Sequence, residues 1–283
     1  MSMIKQMKGK DSTKLPASKR PSDTDVFYTS KKYDGNYVQI AIDIHDIVTF
    51  YTSGGKPFYL GDIADDFRAT FKDVVKPIVI EAEYLYNCLG KLGDRVHSAK
   101  LTTYRTNLAS GISTPGSDRD IFKVFNIIRE GLSRDFSIKL LKSLTPTKSI
   151  HIVEHTLLPY TFAVEQASKW AEAGWEGAFL VAPHIYYKEG KRINEAIKIK
   201  ARAELTAKVF AEEEGEGRLE GLIGALICHT PAGIKFSVGS GLSDNERSQR
   251  GDYVDRLVEV EYEQLSATGV PLQPVFKRLK GQL

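Results

Sequence analysis

Cysteine is nearly absent from this chain of 283 residues: only Cys88 and Cys228 occur, far apart and in no C-x-x-C pair. A disulfide framework and a thiolate zinc site are therefore not expected, and a reducing compartment is the default. Long apolar runs are missing as well. No stretch approaches the ~20 apolar residues of a membrane helix, and the opening MSMIKQMKGKDSTKLPASKR lacks the apolar core of a secretory signal. Neither secretion nor membrane insertion is expected. Strong charge of one sign is lacking too: the formal net charge is +3, which permits a nucleic-acid partner without arguing for one. Internal repeats and low-complexity segments do not occur. What is present is an ordinary globular composition, 42% hydrophobic and 27% charged, in a chain long enough for two domains with separate cores.

Three regions follow from composition and periodicity. Residues 1–22 are rich in Lys, Ser and Pro, which predicts a basic, weakly ordered arm. It is either a plain solvated terminus or a phosphate-contacting segment using Lys5, Lys8, Lys10, Lys14, Lys19 and Arg20. From 23 to 200 strand and helix patterns alternate. Tyr37–Ile44 and Val48–Thr52 read as a strand pair, Leu60–Val74 as a helix, Ile78–Tyr86 and Ile121–Ile128 as strands. Gly90–Asn107 reads as a helix and Gly111–Asp118 as a loop. Ser133–Leu144 reads as a Ser-capped helix with Phe136, Leu140 and Leu144 on one face. Ile150–Leu157 reads as a strand, and Tyr160–Ala173 as a helix with Ala163, Ala167, Trp170 and Ala171 inward. From 201 to 283 short β-prone runs separated by Gly, Pro and Glu clusters predict a small barrel of the oligonucleotide-binding (OB) kind.

The sharpest local feature is Lys31-Lys32-Tyr33-Asp34-Gly35. A lysine followed by an x-Asp-Gly turn before a strand presents its amine from a fixed bend, but K-x-D-G alone is weak and equally describes a charged turn. Downstream, in order, come Glu81-Ala82-Glu83 within a β-prone run, Phe122 and Phe125 in Ile121–Asn126, Glu176-Gly177 after Gly174-Trp175, and Lys198-Ile199-Lys200. Lys198 and Lys200 alternate along a strand and share a face.

That succession resembles the nucleotidyltransferase signature of ATP-dependent DNA ligases, RNA ligases and mRNA capping enzymes. The segment Val238-Gly239-Ser240-Gly241-Leu242-Ser243-Asp244-Asn245-Glu246-Arg247 is similar to V-G-S/T-G-x-x-D-x-x-R in the OB domain of small DNA ligases. Val258–Tyr262 and Pro274–Arg278 resemble the end of that domain. The resemblance covers about residues 28–280, and it implies an α+β fold: an adenylation domain with antiparallel sheets and flanking helices, then an OB-fold barrel. It also implies ATP and Mg²⁺ as cofactors. Lys32 would carry AMP, with Asp34 acting late near the attacking 3′-hydroxyl. Lys198 and Lys200 would hold the α-phosphate, and Glu83 and Glu176 the magnesium, a hard cation that takes oxygen ligands. Phe125 would stack on adenine, Thr29 or Ser30 would read its amino group, and Arg278 and Lys280 would meet the leaving pyrophosphate.

A free lysine titrates near 10.4, so attack needs a cationic surrounding that favours the neutral amine. The transfer itself rests on positioning and charge neutralisation.

The sequence departs from the pattern at several points. Tyr37 stands where an arginine usually follows the motif. Tyr51–Pro57 holds no arginine to grip a nick 5′-phosphate, leaving Lys56, a point charge rather than a fork, and Arg95 as candidate phosphate contacts. Arg278-Leu279-Lys280-Gly281 lacks the usual aspartate. A basic OB insertion is missing, and Glu212, Glu213 and Glu214 occupy that interval, so weaker and more salt-sensitive duplex binding is expected. Gly54-Gly55-Lys56 lacks the rest of a P-loop. His151 and His155 lack the partners of a zinc site.

The expected partner is nicked duplex DNA, possibly RNA-containing, with no membrane or obligate protein partner and a monomeric state. The expected setting is a bacterial cytoplasm or a virus-infected host cell. An RNA or mixed-strand ligase is the close alternative. A capping guanylyltransferase and a catalytically inactive OB-type nucleic-acid-binding protein are the more distant ones.

Overall fold

The computed structural model describes residues 3–58, 60–86, 120–173, 175–200, 202–266 and 268–280. Arg95, Cys88, the helix expected over 90–107 and the loop expected over 111–118 lie outside the described residues. The chain divides into two compact units, Met1–Lys200 and Ala201–Leu283.

The first unit is built on two sheets. Its strands are β1 (Lys8–Asp11), β2 (Val26–Lys31), β3 (Asn36–Ile42), β4 (Val48–Thr52), β5 (Pro57–Phe58), β6 (Ile78–Tyr86), β7 (Asp120–Ile128), β8 (Ile150–Ile152), β9 (Thr156–Pro159), β10 (Gly177–Val181) and β11 (Arg192–Lys200). One sheet runs β1-β11-β10-β2-β9 and the other β5-β4-β3-β6-β7-β8. Both are mixed rather than purely antiparallel, because β1 pairs with β11 and β7 with β8 in parallel. Alternation places Val38, Ile40 and Ile42 of β3 in a core with Ile78, Ile80 and Tyr84 of β6 and Phe67 and Phe71 of helix Gly61–Thr70 and its end. A second core lies where Ala163 and Ala167 of helix Tyr160–Glu172 meet Ala178, Leu180 and Ile197.

Three sequence expectations change. The run expected to be one strand over Ile150–Leu157 is split into β8 and β9; between them His155 turns inward, its Nδ1 2.9 Å from the Val153 carbonyl. Helix Arg134–Ser143 is capped by Ser133 as expected, yet its buried row is Arg134, Ser137, Ile138 and Leu141. Phe136 is 64% exposed. The N-terminal segment expected to be a weakly ordered arm instead forms β1 on the sheet edge and buries Leu15 in the second core. Hydrogen bonds from the Met7 N–H to the Tyr187 hydroxyl (2.8 Å) and from the Gln39 amide to the Ile4 carbonyl (2.8 Å) fix it there.

The second unit holds β12 (Ala203–Glu214), β13 (Ile223–His229), β14 (Lys235–Val238), β15 (Leu257–Tyr262), β16 (Gln264–Leu265), β17 (Pro271–Leu272) and β18 (Val275–Leu279). Five of these form a sheet in the order β14-β13-β12-β15-β18 around Val209, Leu226, Phe236, Val258 and Phe276. The expected barrel is not a closed ladder. The edge strands meet through one bridge, Ser240 with Val275, where the Phe276 N–H donates to the Ser240 carbonyl at 2.8 Å.

Candidate nucleotide site

Within the first unit a cavity of about 300 Å³ opens between the two sheets. One wall is a cross-strand row: Ser30 on β2 pairs with Phe179 on β10, which pairs with Lys198 on β11. The facing wall comes from Tyr37 of β3, Glu81 and Glu83 of β6 and Phe125 of β7, with Lys8 and Gly9 of β1 along one side. A Cβ at Gly9 would lie 2.9 Å from the Ala196 carbonyl oxygen and 3.0 Å from the Phe179 ring, so this strand can approach the sheet only as glycine.

Lys32 follows β2 directly, and its N–H donates to the Gly177 carbonyl at 2.9 Å. That bond seats the lysine backbone against the start of β10, one residue after Glu176. The Lys32 ammonium forms an ion pair with Glu176, and both side chains are mostly buried. Gly35 closes the bend, its N–H donating to Glu83 at 3.1 Å. A Cβ there would lie 2.6 Å from the Tyr84 carbonyl oxygen. The glycine of K-x-D-G is thus required by close approach to β6. Burial pushes the Glu83 carboxyl up to about 7, against the opposing pull of Lys32 and the Gly35 N–H. Burial also lowers the Lys198 ammonium, and the charges of Lys32 and Arg192 add to the effect.

Of the residues expected from sequence, Ser30, Lys32, Glu83, Phe125 and Lys198 line this one cavity, and Glu176 joins them through Lys32. Ser30, not Thr29, faces it: Thr29 is fully buried and its hydroxyl turns to the Phe27 carbonyl. Asp34 lies on the same bend and Lys200 at the end of β11 opposite Gly177, neither on the cavity lining. Lys56 sits on the exposed β4–β5 turn, away from the lining. Arg278 and Lys280 belong to the second unit, where both pair with Glu259.

Several lining groups carry no sequence expectation. Glu81 is buried and accepts hydrogen bonds from Tyr37 (2.5 Å), Tyr187 (2.9 Å) and Asn126 (2.7 Å). Its position two residues before Glu83 puts it on the same strand face, a period that was readable. Tyr37, standing where an arginine was expected, is spent on this network, and its hydroxyl also accepts from Gln39 at 2.7 Å. Burial beside the Glu81 charge raises the Tyr37 and Tyr187 phenols far above their ordinary value. Arg134, at the first turn of its helix, also reaches the cavity.

Two carboxylates beside a lysine and an aromatic pair suit a nucleotide whose phosphates complete a magnesium shell, since that ion keeps water and phosphate ligands. No group of three or more acidic, His or Cys side chains placed to hold a metal ion occurs among the described residues, and Glu83 and Glu176 would hold such an ion together with the nucleotide's phosphates.

Comparison with known proteins bears on both units. The DNA ligase OB-like domain family matches residues 214–280. The DNA ligase of Haemophilus influenzae is 27% identical over 136 residues, 48% of this chain and 50% of that protein. The chain thus aligns with about half the length of this curated relative. A structure from a study of Lig E DNA ligases, described as binding DNA with a minimal scaffold, superposes with a TM-score of 0.68 at 21% identity, covering 99% of this chain and 100% of that one. Pmar-Lig_PreS3 gives 0.65 at 22% identity over 96% of this chain and 66% of that one. The ligase domain of Mycobacterium tuberculosis LigD gives 0.50 at 18% identity over 98% and 95%.

Proposed function

We propose that this chain, which has the nucleotidyltransferase-plus-OB fold of small ATP-dependent DNA ligases, is itself an ATP-dependent ligase that seals 3′-hydroxyl/5′-phosphate nicks in duplex DNA. The observation that carries this reading is Lys32 at the cavity, between Glu176, Glu83 and Lys198, with Ser30, Phe125 and Phe179 lining the space beyond. Adenine fits between the two phenylalanines with Ser30 at its polar edge. Lys198 meets the α-phosphate as a charge on a rigid strand.

Attack by the Lys32 amine on the α-phosphorus forms the N–P bond and releases pyrophosphate. It requires the Lys32 ammonium to leave its ion pair with Glu176 and lose a proton to solvent, and a divalent cation at Glu83 and Glu176 would displace it from the pair, favour the neutral amine and neutralise phosphate charge. Transfer of AMP to a 5′-phosphate and attack by the 3′-hydroxyl then close the nick. Tyr37 is committed to Glu81, so the usual arginine clamp has no substitute there, which favours tolerance of RNA at one end.

Incubation with ATP and magnesium, followed by intact-protein and peptide mass spectrometry, is expected to show one AMP on Lys32. No adduct on the wild type, or an adduct that persists in Lys32→Ala, refutes the proposal. Nicks assembled from DNA and RNA strands decide the strand preference: sealing of all-DNA nicks only removes the mixed-strand reading.

A further inference from the structure

Arg134 is a buried cation answered by the charge of Glu81 without a direct ion pair to it. The residue is 5% exposed and lines the same cavity as Lys32. Its Nε has no hydrogen-bond partner. The nearby carboxylate, Glu81, has both oxygens occupied by Tyr37, Tyr187 and Asn126, and no ion pair joins it to Arg134. Burying a guanidinium without a direct ion pair is costly, and an arginine keeps its charge in essentially any site. Burial lowers it only to about 10. A group held in this way is poised to donate to something that enters the cavity.

Position narrows what that is. The phosphate-binding groups Lys32 and Lys198 lie on the β2–β11 side. Arg134 lies toward Glu81, whose charge acts on it, two residues along β6 from the Glu83 that meets the Lys32–Gly35 bend, and close enough to the enclosed His155 for its charge to depress that imidazole; Val153 and Phe125 line the same cavity. With phosphates at Lys32 and the base stacked on Phe125, the edge presented to Arg134 is that of the purine, whose ring nitrogens are acceptors.

Resting on the nucleotidyltransferase reading above, we infer that Arg134 is a specificity-determining residue that donates a hydrogen bond to a ring nitrogen of the purine. The Tyr37–Glu81–Tyr187 network fixes the floor beside it, and Asn126, locked by the Ser137 hydroxyl at 2.8 Å, continues that network to the same helix.

The test is equilibrium binding of ATP by calorimetry in magnesium-free buffer, where no transfer occurs, alongside AMP transfer to Lys32 in magnesium. Arg134→Met is expected to weaken ATP binding about tenfold or more, the worth of one hydrogen bond from a charged donor, while the saturated rate of transfer stays within about threefold. Arg134→Lys should fall between. In the wild type, 1-deaza-ATP or 7-deaza-ATP should bind about tenfold more weakly than ATP, and Arg134→Met should erase that penalty. Unchanged ATP affinity in both variants overturns the inference, as does a wild type indifferent to both analogues. If Arg134→Met fails to fold, the analogue series on the wild type decides alone. Failure of AMP transfer in the wild type refutes the ligase reading and leaves the binding arm to judge Arg134.

Discussion

Glu83 concentrates the conflict between stability and chemistry in a single side chain. In the unfolded chain its carboxyl titrates near 4.5, and burial raises it to about 7 in the fold. Between those values the native state binds more protons than the unfolded one, so stability falls as pH rises from about 4.5 to about 7 and is level above that. Glu83→Gln keeps the acceptor for the Gly35 N–H and cannot ionise. The variant should melt higher than wild type at pH 8 in metal-free buffer, with the gap closing toward pH 4.5. Its AMP transfer should drop steeply. A variant that melts lower than wild type at pH 8 contradicts this account. The ordered motifs singled out Lys32 and Glu83 in advance, and the fold brings both to one cavity. Arg134 was not readable: Leu132-Ser133-Arg134-Asp135 looks like any solvated helix start, and only the folded chain turns the guanidinium inward.

Among the elements, the turn from β14 into helix Asp244–Ser248 explains the Val238–Arg247 motif as architecture. Arg247 is buried and donates to the carbonyls of Ile223 (2.6 Å), Gly224 (2.8 Å) and Gly239. Gly241 has φ +96°, and a Cβ there would lie 2.2 Å from the Phe276 carbonyl oxygen. Ser243 and Glu246 close a capping box on the helix between them. Arg247→Met leaves three carbonyls without their donor and should cost about 3 kcal/mol or more, with Arg247→Lys recovering part. Chemical denaturation followed by a probe in the second unit measures this; a loss under about 1 kcal/mol would assign the arginine elsewhere. Strong periodicity made β3, β4, β6 and β7 legible. On helix Arg134–Ser143 and its end, Leu140 and Leu144 pack against the core as the periodicity suggests, but Phe136 is exposed, because Phe136-Leu140-Leu144 and Arg134-Ser137-Ile138-Leu141 are both helical rows. The second is chosen by packing and by the Ser137 hydroxyl, which accepts from the Ile127 N–H at 2.8 Å. β1 was illegible for a different reason. Lys-Gly-Lys-Asp has no strand pattern, and its pairing is dictated by β11.

At the scale of the molecule, positive and negative charge nearly cancel, 39 basic against 36 acidic residues. The net charge is +3. Where a basic insertion was found wanting, Glu212 accepts from the Gly251 and Tyr253 N–H groups and Glu214 pairs with Arg250. Under the proposed function, duplex binding would rest on few phosphate contacts. Two such contacts alone reduce affinity about tenfold between 50 and 200 mM salt. Nick sealing at limiting DNA should fall at least about that much over this range, while AMP transfer to Lys32, which needs no duplex, should change by less than about threefold. Equal losses would mean that salt acts on the nucleotide site instead. The edge strand β1 adds a constraint in time. Met7 and Tyr187 are bonded across 180 residues of chain, and a contact of that span forms late. On a ribosome adding ~5–20 residues per second, Lys8–Asp11 emerges roughly 10–40 s before its partner strand exists. One wall of the Lys32 cavity must therefore wait for nearly the whole first unit to be synthesised, so a nascent chain halted before β11 would carry Lys32 without the enclosure around it.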